Sequence, residues 1–468
     1  MEASFWPAVT FANHMRIDPI DLIVRPFERF MHNQATGGVL LFVAALIAII
    51  WANSPWSESY HHLWEHTIAL RFDQWELERN LHHWINDGLM AMFFFVVGLE
   101  LKREIVAGEL ADPAKALLPV AAGVGGMLFP ALVFLSINGF SGPATSGWGI
   151  PMATDIAFAV GLIALLGSRV PISLKIFLTT LAIADDLGAV LVIALFYTSD
   201  ISVINLLIGA GFLAILIAGN LLGIRSPIFY AIFGIGGLWT AFLLSGVHAT
   251  VAGVLAAATI PVEVKLDEKA YINRLNKYIA QFRLLKPTPE KTLTDDQLFA
   301  IDEITKLSEQ ASTPLQRLER RLHPFVAFIV MPLFALANAG VELPSDIGSM
   351  FTDPISLGIA FGLLIGKPLG ILLICWLLLK MNVAQLGYGI TWPHLAGMGF
   401  LAGIGFTMSL FINELAFTDP DLRQQAKLGI ILGSVIAGTI GFIILRRAPA
   451  VPSLPSEDLA VEPKENPL

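Results

Sequence analysis

The chain has 468 residues, 55% of them hydrophobic and only 14% charged, with a formal net charge of −9 and a mean hydropathy of +0.69. Ordinary soluble domains carry about 25% charged residues, so the composition excludes a string of soluble domains and marks an all-α polytopic membrane protein. No basic patch suited to nucleic acid appears, and the single Cys375 excludes a disulfide framework.

Residues 1–37 form an N-terminal segment, polar and aromatic over 1–34, without the short apolar run and small-residue site of a cleavable signal peptide. Runs of about 17–25 mostly apolar residues then recur about twelve times. They fall at 38–53, 86–106, 116–137, 149–167, 172–197, 203–222, 228–244 and 247–261 (together 38–261), then at 322–341, 355–379, 393–416 and 427–446 (together 322–446). Backbone groups in lipid must pair internally, so these runs are predicted as helices. Three stretches are polar. Residues 54–84 make a loop in which Ile68, Leu70 and Phe72 alternate before Asp73-Gln74, followed by Trp75, Leu77 and Leu81, the pattern of a β-hairpin. Residues 262–321 are a charged insert in which Ile272, Leu275, Ile279 and Phe282 recur at helical spacing, and Thr294 with Gln297 has the form of a capping box. Residues 447–468 are a Pro- and acid-rich tail expected to be disordered.

Lys and Arg set the orientation. They cluster before the first span (Arg25, Arg29), after the second (Lys102, Arg103, Lys115), the fourth (Arg169, Lys175) and the sixth (Arg225). They recur in the insert, after the tenth span (Lys380) and after the twelfth (Arg446, Arg447), whereas 138–148, 198–202 and 342–354 have none. By the positive-inside rule both termini are cytoplasmic and the span count is even.

The charges inside the spans carry the chemistry. Asp185 and Asp186 sit side by side within LKIFLTTLAIADDLGAVLVIALFY (174–197), Asp155 follows Pro151 and Thr154 in the fourth span, and Lys367 precedes Pro368 in the tenth. A carboxylate at the bilayer centre costs about 2.5–3.5 kcal/mol on insertion scales, so such groups pair or face water. Neighbours on a helix are about 100° apart; one aspartate can meet a cation such as Lys367 while the other faces a site shared with Asp155. Close carboxylates resist simultaneous ionisation and bind a proton or a small hard cation in coupled steps, and oxygen ligands suit Na⁺ or Li⁺. Pro151, Gly403 and Gly405 loosen the fourth and eleventh spans. Unwound backbone there exposes helix N-termini that Asp155 can offset and C-termini that Lys367 can offset; close packing at the glycines is the other reading.

Seven strings resemble the NhaA-type sodium/proton antiporters: NDGLMAMFFFVVGLELKRE (86–104), ATDIAFAVGLIALLGSRVP (153–171), LAIADDLGAV (181–190), SGVHATVAGV (245–254), PLFALANAGV (332–341), LLIGKPLGI (363–371) and GIGFTMSLFI (403–412). That family is itself a standard instance of inverted repeats with broken helices. The resemblance implies twelve helices in an inverted-repeat antiporter fold, spans three to five related to ten to twelve, and two discontinuous helices crossing at the midplane. It implies an ion and proton site at Asp185 and Asp186, shaped by Asp155 and Thr154, with Lys367 as partner of Asp185 and itself a candidate for proton exchange. It implies electrogenic exchange of two protons per Na⁺ or Li⁺ at a bacterial inner membrane, with no cofactor, and a homodimer held through the 66–80 hairpin. The family's pH response and ion entrance map to Glu100, Glu104, His248, Glu319 and His323. Glu100 and Glu104 serve either as that entrance or as ion-pair partners of Arg103 and Lys102, and His248 can equally be a hydrogen-bonded helix-end histidine. Similar proteins carry Lys and His where this chain has Gln316 and Arg320, a departure that bears on the pH set-point rather than on exchange. The alternatives are an intramembrane aspartyl protease, with Asp155 and Asp186 as a dyad, and a cation channel. No GxGD string supports the first, Lys367 is a poor neighbour for a shared proton, and no repeated filter sequence supports the second.

Overall fold

The computed structural model describes residues 34–72, 75–198, 201–285, 292–342 and 352–449. The N-terminal segment with Arg25 and Arg29, the hairpin tip Asp73-Gln74, most of the 342–354 loop and the tail from 450 lie outside the described residues.

Four of the spans begin on a capping side chain followed by proline. Asp112 accepts the Ala114 N–H (3.0 Å), Thr313 the Gln316 N–H (3.1 Å), Asp353 the Ser356 N–H (2.7 Å) and Asp419 the Asp421 N–H (2.9 Å). Pro113, Pro314, Pro354 and Pro420 then occupy the first helical position, where no N–H is needed. Helix length is thus set by caps and not by the apolar run alone. The ninth expected span starts at Pro314 rather than 322, and the twelfth at Pro420 rather than 427.

In chain order the helices are α1 (Gln34–Ala52), α2 (Ser57–Glu65), α3 (Met90–Ala107), α4 (Pro113–Asn138), α5 (Ile156–Leu166), α6 (Ile172–Phe196), α7 (Val203–Leu221), α8 (Pro227–Leu243) and α9 (Ala249–Thr259). They continue with α10 (Glu268–Leu284), α11 (Asp295–Ala311), α12 (Pro314–Asn338), α13 (Pro354–Lys380), α14 (Trp392–Ala402), α15 (Phe406–Ala416) and α16 (Pro420–Arg447). The expected spans fall largely on helix, with breaks inside the fourth and the eleventh. Among the described residues, seven helical stretches are long and apolar enough to cross a membrane, or up to nine if each sharply bent pair counts as one. The apolar α8 and α9 are shorter, and α3 carries Glu100, Lys102, Arg103 and Glu104 near its end. Wider π turns interrupt the pattern at Trp84–Leu89, Ile232–Trp239, Val326–Val330 and Gly362–Gly366, the last directly before Lys367.

The hairpin expected from alternation is present. β1 (Thr67–Phe72) pairs antiparallel with β2 (Trp75–Asn80), Leu70 opposite Leu77 and Phe72 opposite Trp75. Trp84 Nε1 donates to Ile68 O (3.2 Å), tying the hairpin to the chain that leads into α3. The insert folds into α10 and α11, joined by Tyr271 OH and Ser308 Oγ at 3.2 Å, with the Thr294–Gln297 capping box in place.

Helices α4 and α13 cross backbone to backbone: a Cβ on Gly125 would lie 2.7 Å from Gly370 O. This contact sets Lys367 beside α4 and α6. One large apolar core joins most elements, and a smaller one gathers Leu99, Leu216, Leu238, Phe242 and Leu315. Helix α7 turns Ile204, Leu207, Ile208, Ile217 and Leu221 outward, the reverse of a soluble surface and the sign of a lipid-facing helix.

Candidate functional site

The fourth span cannot remain one helix. Pro151 lies in the 3₁₀ segment Pro143–Met152; Ala153 (φ −81°, ψ 151°) and Asp155 (φ −84°, ψ 99°) are extended, and α5 restarts at Ile156. The eleventh breaks at Gly403-Ile404-Gly405, with α14 and α15 bent by 42°. Neither glycine needs left-handed backbone, since φ is −69° at Gly403 and −86° at Gly405. Gly403 instead supplies space, because a Cβ there would run into Leu363 O of α13. The glycines mark a close approach at a break, which joins two readings that the sequence kept apart.

The two breaks meet. Asp155 N–H donates to Ile404 O (2.7 Å). Its carboxylate accepts the Phe158 N–H at Oδ1 (3.1 Å), and at Oδ2 the Thr407 N–H (3.1 Å) and the Thr407 hydroxyl. A single carboxylate therefore ends both α5 and α15 at their positive N-termini. The opposing C-terminal carbonyls are met by side chains as well. Lys367 Nζ donates to Met152 O, and Thr154 Oγ1 lies 2.9 Å from Ala402 O. Ser409 Oγ adds a bond to Ile150 O (2.7 Å).

Helix α6 brings the aspartate pair against this crossing. Asp185 Oδ2 lies 2.7 Å from Lys367 Nζ and accepts the Thr154 hydroxyl at 2.7 Å. Asp185, Asp186, Lys367 and Thr154 are all 0% exposed, and Asp155 is 1% exposed. Asp185 Oδ1 and both carboxyl oxygens of Asp186 have no hydrogen-bond partner among the described residues. Among the described residues no group of three or more His, Cys, Asp or Glu is arranged to hold a metal ion.

Four of the expected pH-response residues come together at the basic end of the bundle. Arg103 pairs with Glu319 and, at 3.0 Å, with Glu104, while His323 Nε2 lies 3.9 Å from Glu100. Lys102 does not join them, against one sequence reading; it caps carbonyls, donating to Ala258 O and Ile260 O at 2.6 Å each. His248 is at the opposite end, before α9, with Nε2 2.8 Å from Tyr197 O, a hydrogen-bonded helix-end histidine.

Sequence reading passed over Glu414. It lies inside the 393–416 run, 6% exposed, with Arg423 Nη1 and Lys427 Nζ at 3.2 Å each. Its signal was present in the charge, but its partners belong to the following helix.

An all-helical, multi-span chain with buried acids at the meeting of two broken helices has the build of a secondary transporter. The family model described as Na⁺/H⁺ antiporter 1 matches residues 28–445. The Na⁺/H⁺ antiporter NhaA of Oleidesulfovibrio alaskensis is 49% identical over 429 residues, covering 92% of this chain and 95% of that protein. The Na⁺/H⁺ antiporter NhaA 2 of Syntrophotalea carbinolica is 49% identical over 432 residues (92% and 98%), and the NhaA protein of Koribacter versatilis 46% over 433 (92% and 94%). The chain belongs to the Na⁺/H⁺ antiporter 1 family, whose members are secondary transporters and not enzymes.

Proposed function

We propose that this chain extrudes Na⁺ or Li⁺ in exchange for protons by letting metal ion and protons occupy Asp185 and Asp186 in turn. Exchange of Na⁺ for H⁺ follows the family; the assignment of residues rests above all on Asp186. A fully buried carboxyl with no donor against either oxygen is costly as a bare anion, so it holds a proton or a cation. Na⁺ would be met by one or two carboxylates with hydroxyl, carbonyl and water oxygens. Thr154, between Asp185 and Ala402 O, can serve either state: it donates to the ionised carboxylate, or accepts from the protonated one while donating to the carbonyl.

Binding of Na⁺ at Asp185 competes with Lys367, whose ammonium then loses its carboxylate and can release a proton. Two protons inward per Na⁺ outward leave one net positive charge moving inward per cycle, so exchange is electrogenic and responds to membrane potential as well as to the proton gradient. Access alternates between the two faces around a fixed site. Asp155 offsets the helix termini and keeps the crossing assembled. The Arg103, Glu100, Glu104, Glu319 and His323 cluster is assigned to the pH response at the cytoplasmic face. The distribution of Lys and Arg supports cytoplasmic termini in a bacterial inner membrane, and the β1–β2 hairpin is assigned to a homodimer contact.

In everted membrane vesicles with an imposed pH gradient, Na⁺ should collapse the gradient. Asp186→Asn should abolish that response while the protein remains inserted and folded. Unchanged exchange in the variant would reject the site. Repeating the assay with Li⁺ and K⁺ across pH defines the cation range.

A further inference from the structure

At the bundle end remote from the Lys and Arg clusters, the external end on the reading above, one hydrogen-bond network joins α3 to α12. Asn338, the last residue of α12, donates from Nδ2 to Asn86 Oδ1 (3.0 Å) and to Phe334 O (3.0 Å). This fixes its Oδ1 toward His82 Nε2 at 3.0 Å. An amide oxygen only accepts, so Nε2 is the protonated nitrogen of the neutral ring. Asn86 Nδ2, a donor, lies 3.4 Å from each ring nitrogen and from Asn338 Oδ1. Neutral His82 thus completes a clamp between the turn that opens α3 and the end of α12.

A second acceptor lies beside the same ring nitrogen. Glu414 Oε2 of α15 is 4.0 Å from His82 Nε2. From α16, Arg423 and Lys427 hold the same carboxylate. The remaining ionisable groups at this mouth are His61 and Glu65 of α2, Arg79 of β2 and His83 beside the ring. Asp87 and His248 line the deeper side, and Glu342 is paired with His61 at 2.9 Å. His82, Glu414 and Arg423 line both of two cavities, of about 390 and 460 Å³, and so form the wall between them. The same helices carry an aromatic seal: Phe94 of α3, Phe334 of α12 and Phe411 of α15 are fully buried, with ring centroids 5.5 and 6.2 Å apart at Phe411.

We propose that His82 is a proton-binding site of the external mouth, and that its occupancy decides whether the Asn86–Asn338 clamp stays closed over the aromatic seal. A proton arriving from either cavity adds to Nδ1, and no covalent bond breaks. The Asn86 amide, a donor, then lies against a cationic ring that accepts from neither nitrogen, and the Nε2–H shifts from the neutral Asn338 oxygen to the nearby Glu414 carboxylate. The clamp loses its central member, and α3 and α12 can part at the side from which transported protons enter. Burial holds the His82 pKa below its ordinary 6.5, Glu414 opposing and Lys427 reinforcing that shift. The sign follows: the closed clamp binds fewer protons than the open one, so it is fully favoured above pH 6.5 and weakens as pH falls.

The inference uses the outward placement of this end but does not need transport to be tested. Hydrogen exchange of the full-length protein in detergent, corrected for intrinsic chemistry, reads opening of the 84–94 and 331–338 backbone from pH 8 to 5. In the wild type the opening constant should rise about tenfold per pH unit once below 6.5, the slope of one proton. His82→Gln keeps a donor for Asn338 and cannot titrate, so its protection should be flat; a profile that tracks the wild type overturns the proposal. Glu414→Gln should move the midpoint down by about one pH unit, and an unmoved midpoint is likewise fatal, which keeps the test alive if His82→Gln does not fold. Asp186→Asn should retain the response; its loss there would assign the response to the central acids and overturn the role of His82.

Discussion

Lys367 serves two masters at the residue scale. Its ammonium neutralises Asp185 and also ends the 3₁₀ segment at Met152 O. Lys367→Ala leaves an uncompensated carboxylate in a dry site, and breaking a buried pair in this way costs about 3–5 kcal/mol. The melting temperature of the variant in detergent should fall well below wild type; an equal value would count against the pair. Asp155, Asp185, Asp186 and Lys367 were legible in the sequence because a charge in apolar sequence is expensive and so informative. The oxygens of Met152, Ala402 and Ile150 were not legible, because any residue has a carbonyl and only the break decides which ones are unpaired. The place of Thr407 beneath Asp155 was hidden for a related reason: 252 residues separate the two. Glu414 shows the opposite failure, a visible charge near a span end whose cost is hidden until α16 supplies Arg423 and Lys427.

Caps and close approaches govern the elements. The apolar runs fall largely on helix, but the starts of α12 and α16 follow Thr313-Pro314 and Asp419-Pro420, sequence signals for a helix N-terminus that lie outside the runs. Helix α2 went unexpected because its Ser57–Glu65 sequence is short and polar, with only Tyr60 and Trp64 buried. The hairpin was legible from alternation, and its register sets Leu70 opposite Leu77 and Phe72 opposite Trp75. At the second break, Gly403→Ala would force a methyl onto Leu363 O and within 3.0 Å of Phe400 O. Overpacking of this kind costs about 1–3 kcal/mol. Vesicles bearing the variant should lose Na⁺-driven collapse of the pH gradient although every ionisable residue of the site is intact. Full activity would show that the approach of α13 to the break is dispensable.

For the whole molecule, the β1–β2 hairpin is attached through Leu81 N–H to His66 O (2.8 Å) and the Trp84 indole. Replacing 68–79 by a short Gly-Ser turn should yield a monomer by light scattering in detergent, with helix content otherwise kept; an unchanged dimeric mass would move the contact elsewhere. The interior imposes a different kind of constraint. Several bonds stitch the two interrupted helices together: Asp155 N–H to Ile404 O, the Thr407 amide and hydroxyl to Asp155, and Ser409 to Ile150 O, with Thr154 against Ala402 O. Pulling them apart would strand the donor and the acceptor of each bond in a buried interior. On the exchange proposed above, the knot is a pivot and not a door: the cargo site stays assembled while the surrounding helices rock past it to change which compartment it sees.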